Sequence, residues 1–107
     1  SFEKIYQLYV NKIQRKDKHI KDLDAIIFWL TGYDESSLKR VFEKHYTMRE
    51  FFAEAPNMNP HRNLIKGVIC GVRVEEIEHP IMQNIRYLDK LVDELARGKK
   101  MSSILRG

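Results

Sequence analysis

The feature that most constrains the fold is the segment from His79 to Lys100, HPIMQNIRYLDKLVDELARGKK, which has the full pattern of one long amphipathic helix. Its apolar residues are spaced by four and three positions and therefore cluster on one side of a helix: Ile81, Ile85, Leu88, Val92 and Leu95. Pro80 fits the first turn, where its missing N–H costs nothing, and Gly98 supplies a left-handed residue after the last turn. We predict that this helix is central and that the rest of the chain packs on its apolar side.

The size and composition of the chain predict one small globular domain. The 107 residues suffice for a single core, and the 43% hydrophobic and 32% charged residues are typical of a folded chain rather than a disordered one. No apolar run approaches the roughly 20 residues that cross a bilayer. The single cysteine, Cys70, has no partner for an internal disulfide. We therefore expect one domain over residues 1–107, a cytoplasmic location and no membrane association.

The positive charge is concentrated in two short segments. Residues 12–21 hold five Lys or Arg against one Asp, and residues 97–106 hold four Lys or Arg and no acid, so each carries a local charge of +4. Since the whole chain has a net charge of +4, the remainder sums to −4. The chain is therefore predicted to carry two small basic clusters on an otherwise acidic body.

Four further helices are predicted from helical spacing and capping residues, over residues 2–15, from Asp17 to about Thr31, over 34–45, and from Thr47 to Pro56. We expect Asp17 to cap the second of them and Gly32 to end it. Around Trp29 this second helix is apolar on all sides, which indicates a central position or an interface. The predicted fold class is therefore mainly α, a single small domain of four to five helices with one short β segment or hairpin near 68–75.

Residues 68–75, VICGVRVE, change to a period of two. Their apolar phase holds Val68, Cys70, Val72 and Val74, which predicts a strand with one buried face. Because a lone strand has unpaired edges, it must form a hairpin about Cys70–Gly71, pair with another chain, or remain extended. We favour pairing with the same strand of a second molecule about a two-fold axis, and hence a homodimer.

Several long blocks of the sequence resemble a known family. They are WLTGYDESSL at 29–38, FFAEAPNMNP at 51–60, GVICGVRVEEIEHP at 67–80 and IRYLDKLVDELARGK at 85–99. Together they are similar to a small bacterial family, domain of unknown function 2200. That family is uncharacterised, so the resemblance implies one compact domain and no activity, cofactor or site residue. Its usual acidic residue before Pro80 is replaced here by His79.

Residues with catalytic or metal-binding chemistry occur without a recognisable spacing. Cys70 is interpreted as a buried strand residue, because neither His61 nor His79 stands at the spacing of a known cysteine–histidine pair. The acidic patch at 75–79 contains no ligand pair of the kind that zinc sites use, and its histidine suits the cap of the following helix. We therefore predict no catalytic, cofactor or metal site, and an enzyme assembled from scattered residues remains an alternative.

Two functional hypotheses follow from the surface. The leading one is a non-catalytic interaction or regulatory module, with an interaction surface at Trp29, Val72, Arg73 and Val74. The alternative is nucleic-acid binding through the basic clusters 12–21 and 97–106, with phosphate contacts from Arg15, Lys16, Lys18, Lys99 and Lys100. Against this alternative, the helix at 34–45 begins with two acids, where a recognition helix would carry basic residues.

Overall fold

The computed structural model describes all residues 1–107 and consists of six α-helices, two 3₁₀ turns and one short hairpin. The helices are α1 (Phe2–Gln14), α2 (Ile20–Thr31), α3 (Glu35–Glu43), α4 (Met48–Ala53), α5 (Pro80–Ala96) and α6 (Met101–Ile104). The 3₁₀ turns are Pro60–Leu64 and Val74–Glu76, and the hairpin strands are β1 (Val68–Ile69) and β2 (Val72–Arg73). The predicted mainly α fold with a short β hairpin is confirmed. None of the six helices combines the length and the hydrophobicity that a membrane-spanning segment requires.

Helix α5 is the central element, as its spacing predicts. His79 caps its first turn by accepting a hydrogen bond from the Met82 N–H at 3.3 Å. Gly98, with φ +88°, follows its last turn, and the Lys99 N–H donates to the Glu94 carbonyl in a Schellman motif. The core-facing side is fully excluded from solvent at Leu88, Leu91 and Val92. Helices α1, α2, α4 and α6, the hairpin and the 74–76 turn all pack against α5.

One hydrophobic core joins the elements. Its 21 buried residues come from all six helices, from Tyr33 between α2 and α3, and from the segments between α4 and α5. The N-terminal part of this core is aromatic, with the Phe2 ring stacked on Phe51 at a centroid distance of 3.8 Å. Trp29 and Phe42 are half-buried and pack against the margin of this core, whereas Leu88 and Val92 lie fully inside it.

The prediction that Asp17 caps α2 is wrong. Asp17 adopts a left-handed conformation with φ +58°, and the following Lys18 N–H donates to the Ile13 carbonyl at 3.0 Å. Asp17 thus ends α1, because its short polar side chain tolerates a conformation that most residues avoid. His19 is the N-cap residue of α2 instead and makes no side-chain capping bond. The expected Gly32 stop is confirmed by its φ of +79°.

The segment 68–75 is a hairpin and not one continuous strand. Ile69 pairs with Val72 and Val68 with Arg73, and the turn residues Cys70 and Gly71 both have positive φ, +51° and +76°. Two successive residues of this kind form the type I′ turn that matches the twist of a tight hairpin. Because the segment turns at Cys70–Gly71, the predicted buried face does not form, and Val68, Cys70 and Val72 are exposed. The prediction that Cys70 is buried is therefore wrong.

Candidate functional site

The geometry of the most charged surface follows from the relative direction of α1 and α5. Tyr9 donates a hydrogen bond to Asp89, and one turn further on Lys12 contacts Asp93 at 3.2 Å. The two helices therefore run parallel, and their C-terminal ends lie side by side. Both chain segments that follow these ends are the basic segments of the sequence.

The two basic clusters adjoin one another, and all their cations except Arg106 make up a surface that we call the basic end: Lys12, Arg15, Lys16, Lys18, Lys21, Arg97, Lys99 and Lys100. A Cβ atom placed on Gly98 would lie 3.7 Å from the Lys18 ammonium nitrogen, so the loops after α1 and α5 are neighbours. Lys12, Lys16 and Arg97 also line one open cavity of about 520 Å³ together with Asp93 and Ala96. Positions about 80 residues apart in sequence thus meet in space.

Some cations of the basic end are held by carboxylates. The Asp93 carboxylate forms ion pairs with the Lys12 ammonium at 3.2 Å and with the Arg97 guanidinium at 2.9 Å. Lys99 reaches Glu94 at 3.5 Å. Lys12 therefore links the end of α1 to α5, whereas Arg97 and Lys99 pair within the C-terminal part of α5 and the residues after it. All three cations are less available to a ligand.

The other five cations of the basic end form no ion pair: Arg15, Lys16, Lys18, Lys21 and Lys100. Four of them are exposed and Lys18 is half-buried. Of the five phosphate contacts predicted from sequence, the structure leaves Arg15, Lys16, Lys18 and Lys100 unpaired and commits Lys99 to Glu94. The arrangement can attract and hold a polyanion.

Carboxylates that the sequence interpretation missed organise this region. Glu94 is only 6% exposed and binds the Arg106 guanidinium at 2.6 Å, which fastens the chain after α6 to α5. Its second oxygen, Oε1, is buried without a hydrogen-bond partner. Along α1, burial and then the neighbouring Asp89 carboxylate raise the pKa of the Tyr9 phenol, which therefore stays protonated and donates. In the sequence, Glu94 falls beside Tyr87 at the edge of the apolar face of α5, and this position was the available signal.

The predicted interaction surface at Trp29, Val72, Arg73 and Val74 is not one exposed patch. Val74 is fully buried and cannot contact a partner. Val72 is 41% exposed, and Arg73 is exposed beside Glu75, whose carboxylate oxygen lies 3.6 Å from it. Trp29 lies in α2, half-buried, and its carbonyl accepts from the Asn59 side chain. Val72 and Arg73 are the members that the hairpin presents to solvent.

The acidic patch before α5 stabilises local structure. Glu75 accepts a hydrogen bond from the Gly67 N–H at 2.9 Å, and this bond lowers the pKa of the Glu75 carboxyl. His79 caps α5, as the sequence indicates. No group of three or more His, Cys, Asp or Glu side chains is arranged to hold a metal ion.

Sequence and structure comparisons link the chain to uncharacterised proteins. The profile of a family described as "Uncharacterized protein conserved in bacteria (DUF2200)" matches residues 1–106. The crystal structure of uncharacterized protein SP1917 is 42% identical in sequence, and the match covers 94% of this chain and 83% of that chain with a TM-score of 0.88. No curated protein is significantly similar to the chain.

Proposed function

We propose that this chain, which belongs to the DUF2200 family of uncharacterised bacterial proteins, is a non-catalytic interaction module that binds nucleic acid through its basic end. The observation that carries the proposal is the convergence of five cations without carboxylate partners at one end of the bundle. An isolated folded chain gains little from such a cluster, because like charges repel one another. A phosphate backbone compensates all of them at once.

The physical driving force is the release of counterions from the nucleic acid. For duplex DNA, the logarithm of the binding constant falls with the logarithm of salt concentration with a slope of about −0.9 for each phosphate neutralised. Five unpaired cations therefore give a slope of about −4.5, from 0.9 × 5. Shape and charge in this proposal provide general affinity, and no base-reading helix is required.

The non-catalytic part of the proposal is supported by the titrating groups. The residues whose pKa is raised most are Tyr6, Tyr9 and Tyr33, and burial is the main cause for each. Each of these phenols donates a hydrogen bond to a fixed acceptor, which is typical of structural tyrosines. A cytoplasmic location is part of the proposal, because nucleic acid is present there and the exposed Cys70 thiol stays reduced.

The test is a salt titration of binding to a labelled DNA duplex, followed by fluorescence anisotropy between about 25 and 200 mM NaCl. The triple variant Arg15→Gln, Lys16→Gln, Lys18→Gln removes three of the five unpaired cations. The slope should then fall from about −4.5 to about −1.8, with much weaker binding at every salt concentration.

The matched control is the triple variant Lys44→Gln, Arg49→Gln, Lys66→Gln, which removes the same charge from exposed positions outside the basic end. It should keep nearly the full salt slope. No binding of the unmodified protein at about 25 mM NaCl, or an equal loss in the control, would refute the proposal.

A second candidate is self-association through the hairpin, as a homodimer. The observation that favours it is the exposure of two valines on a short hairpin, Val68 at 51% and Val72 at 41%. Since the strands already pair within the chain, a second copy would add to an outer edge. Light scattering at high micromolar concentration should give twice the monomer mass. The Val72→Lys variant should give the mass of a single monomer. A monomer mass for the unmodified protein would exclude this homodimer.

A further inference from the structure

A groove between α2 and α3 begins at the basic end. It consists of two adjoining cavities of about 500 and 240 Å³, which share Asp24, Phe28 and Glu35. Lys21 lines the first cavity and Lys39 lines the second. Because Lys21 is one of the five unpaired cations, the groove is continuous with the proposed phosphate-binding surface.

We infer that this groove receives the bases of a single-stranded nucleic acid whose phosphates lie on the basic end. The inference rests on the proposed function and names its ligand more closely. A base paired inside a duplex cannot reach such a groove, whereas an unpaired base can turn away from its backbone. The strand would bring its phosphates to Lys21 and Lys39 and its bases to the residues between them.

The aromatic surface that this binding requires is Phe28. It is half-buried, contributes to both cavities, and lies seven residues after Lys21, on the same face of α2 two turns further on. Proteins that bind single strands combine a cationic surface with aromatic rings on which bases stack. A ring next to an unpaired lysine matches that combination.

Two carboxylates in the groove distinguish bases from phosphates. Neither Asp24 nor Glu35 forms an ion pair, although Asp24 accepts a hydrogen bond from the Tyr6 hydroxyl at 2.7 Å. Free carboxylates repel phosphate but accept hydrogen bonds from the amino group of cytosine. Thymine has no amino group, and its one ring N–H lies between two carbonyl oxygens that a carboxylate repels. The groove should therefore prefer cytosine to thymine.

The experiment measures the affinity of the full chain for labelled oligodeoxycytidine, oligothymidine and a duplex, each of about 20 nucleotides, at one low salt concentration. Phe28→Leu keeps a large apolar side chain against the core but removes the ring. It should weaken oligodeoxycytidine binding about 5- to 150-fold, the range for losing one stacked base, and leave duplex binding unchanged. Leu8→Ala, at a 62% exposed position of α1 outside the groove, is the control and should change neither.

A second variant tests the preference for cytosine over thymine. Unmodified protein should bind oligodeoxycytidine at least about 5-fold more tightly than oligothymidine, and Glu35→Ala should reduce that ratio towards one. Glu35 is exposed, so this variant tests the inference even where Phe28→Leu perturbs the core. Duplex binding with a full salt slope, but with no effect of Phe28→Leu and no base preference, would overturn this inference and leave the proposed function intact. No binding to any of the three nucleic acids would overturn both.

Discussion

The contact between Glu94 and Arg106 gives the sharpest test of how the C-terminal chain is held. Replacing Arg106 with Met removes a guanidinium that donates to Glu94 at 2.6 Å and to the Ile104 carbonyl at 2.8 Å. The side chains of this ion pair are only 16% and 7% exposed. Breaking such a pair from one side leaves a buried charge without compensation, which costs about 3–5 kcal/mol.

Two features of the structure place the loss at the lower end of that range. Lys99 remains 3.5 Å from the same carboxylate oxygen of Glu94, and the Arg106 side chain is not completely excluded from water. We therefore expect Arg106→Met to reduce the free energy of unfolding by about 3 kcal/mol. The double variant Glu94→Leu, Arg106→Met should recover most of that loss, because it replaces both charges with apolar groups and removes the unpartnered Oε1 atom.

Urea unfolding followed by circular dichroism measures both variants and Glu94→Leu alone, which completes a double-mutant cycle. The reasoning predicts that the double variant is more stable than Arg106→Met by at least about 1.5 kcal/mol. A loss below about 1 kcal/mol for Arg106→Met would show that water or Lys99 already compensates Glu94. A double variant less stable than Arg106→Met would show that the site needs its charges.

Four further substitutions test the fold. Leu88→Ala should reduce the free energy of unfolding by about 2–5 kcal/mol in urea titrations, because Leu88 is fully buried in the central helix. Gly32→Ala should cost more than Gly98→Ala: both force a left-handed alanine, about 1–2 kcal/mol, but only at Gly32 would the new Cβ lie 2.8 Å from a backbone nitrogen, that of Asn57. Cys70→Asn should increase the free energy of unfolding by about 0.5 kcal/mol, because asparagine adopts the left-handed turn conformation more readily. The gain should appear as a higher melting temperature.

The helices were predictable because local signals and the core agree. Asp34 and Thr47 each begin a helix with a complete capping box, with Ser37 and Glu50 as the reciprocal partners. The hairpin was less predictable, since Val68, Ile69 and Val72 are all β-branched and leave the buried phase undecided. Its true phase depends on packing against α5, which no local pattern encodes.

The candidate site was predictable residue by residue but not as a surface. The two basic clusters were evident from composition, whereas their meeting depends on α1 and α5 running parallel with about 65 residues of chain between them. The commitment of Lys99 to Glu94 depends on the same tertiary arrangement. Asp24, Phe28 and Glu35 gave no motif at all, because they come together only where α3 packs beside α2.

The basic end contains cations that serve the fold and cations that do not, and two double variants separate these roles. Lys12→Gln, Arg97→Gln removes both partners of Asp93, which is 14% exposed in its side chain. Because both cations are substantially exposed, the loss of stability should be about 1 kcal/mol. Lys16→Gln, Lys18→Gln breaks no ion pair and should change stability by no more than about 0.5 kcal/mol.

In DNA binding, the order of the two effects should reverse, and Lys16→Gln, Lys18→Gln should have the larger effect. Losing Lys16 and Lys18 removes two unpaired cations, so the salt slope should become shallower by about 1.8. Lys12 and Arg97 are already neutralised in part by Asp93, so removing them should change the slope less. Unfolding titrations and anisotropy titrations on the same preparations measure both quantities. If Lys16→Gln, Lys18→Gln unfolds the protein more readily but keeps the full slope, these lysines serve the fold and the basic end is not a binding surface.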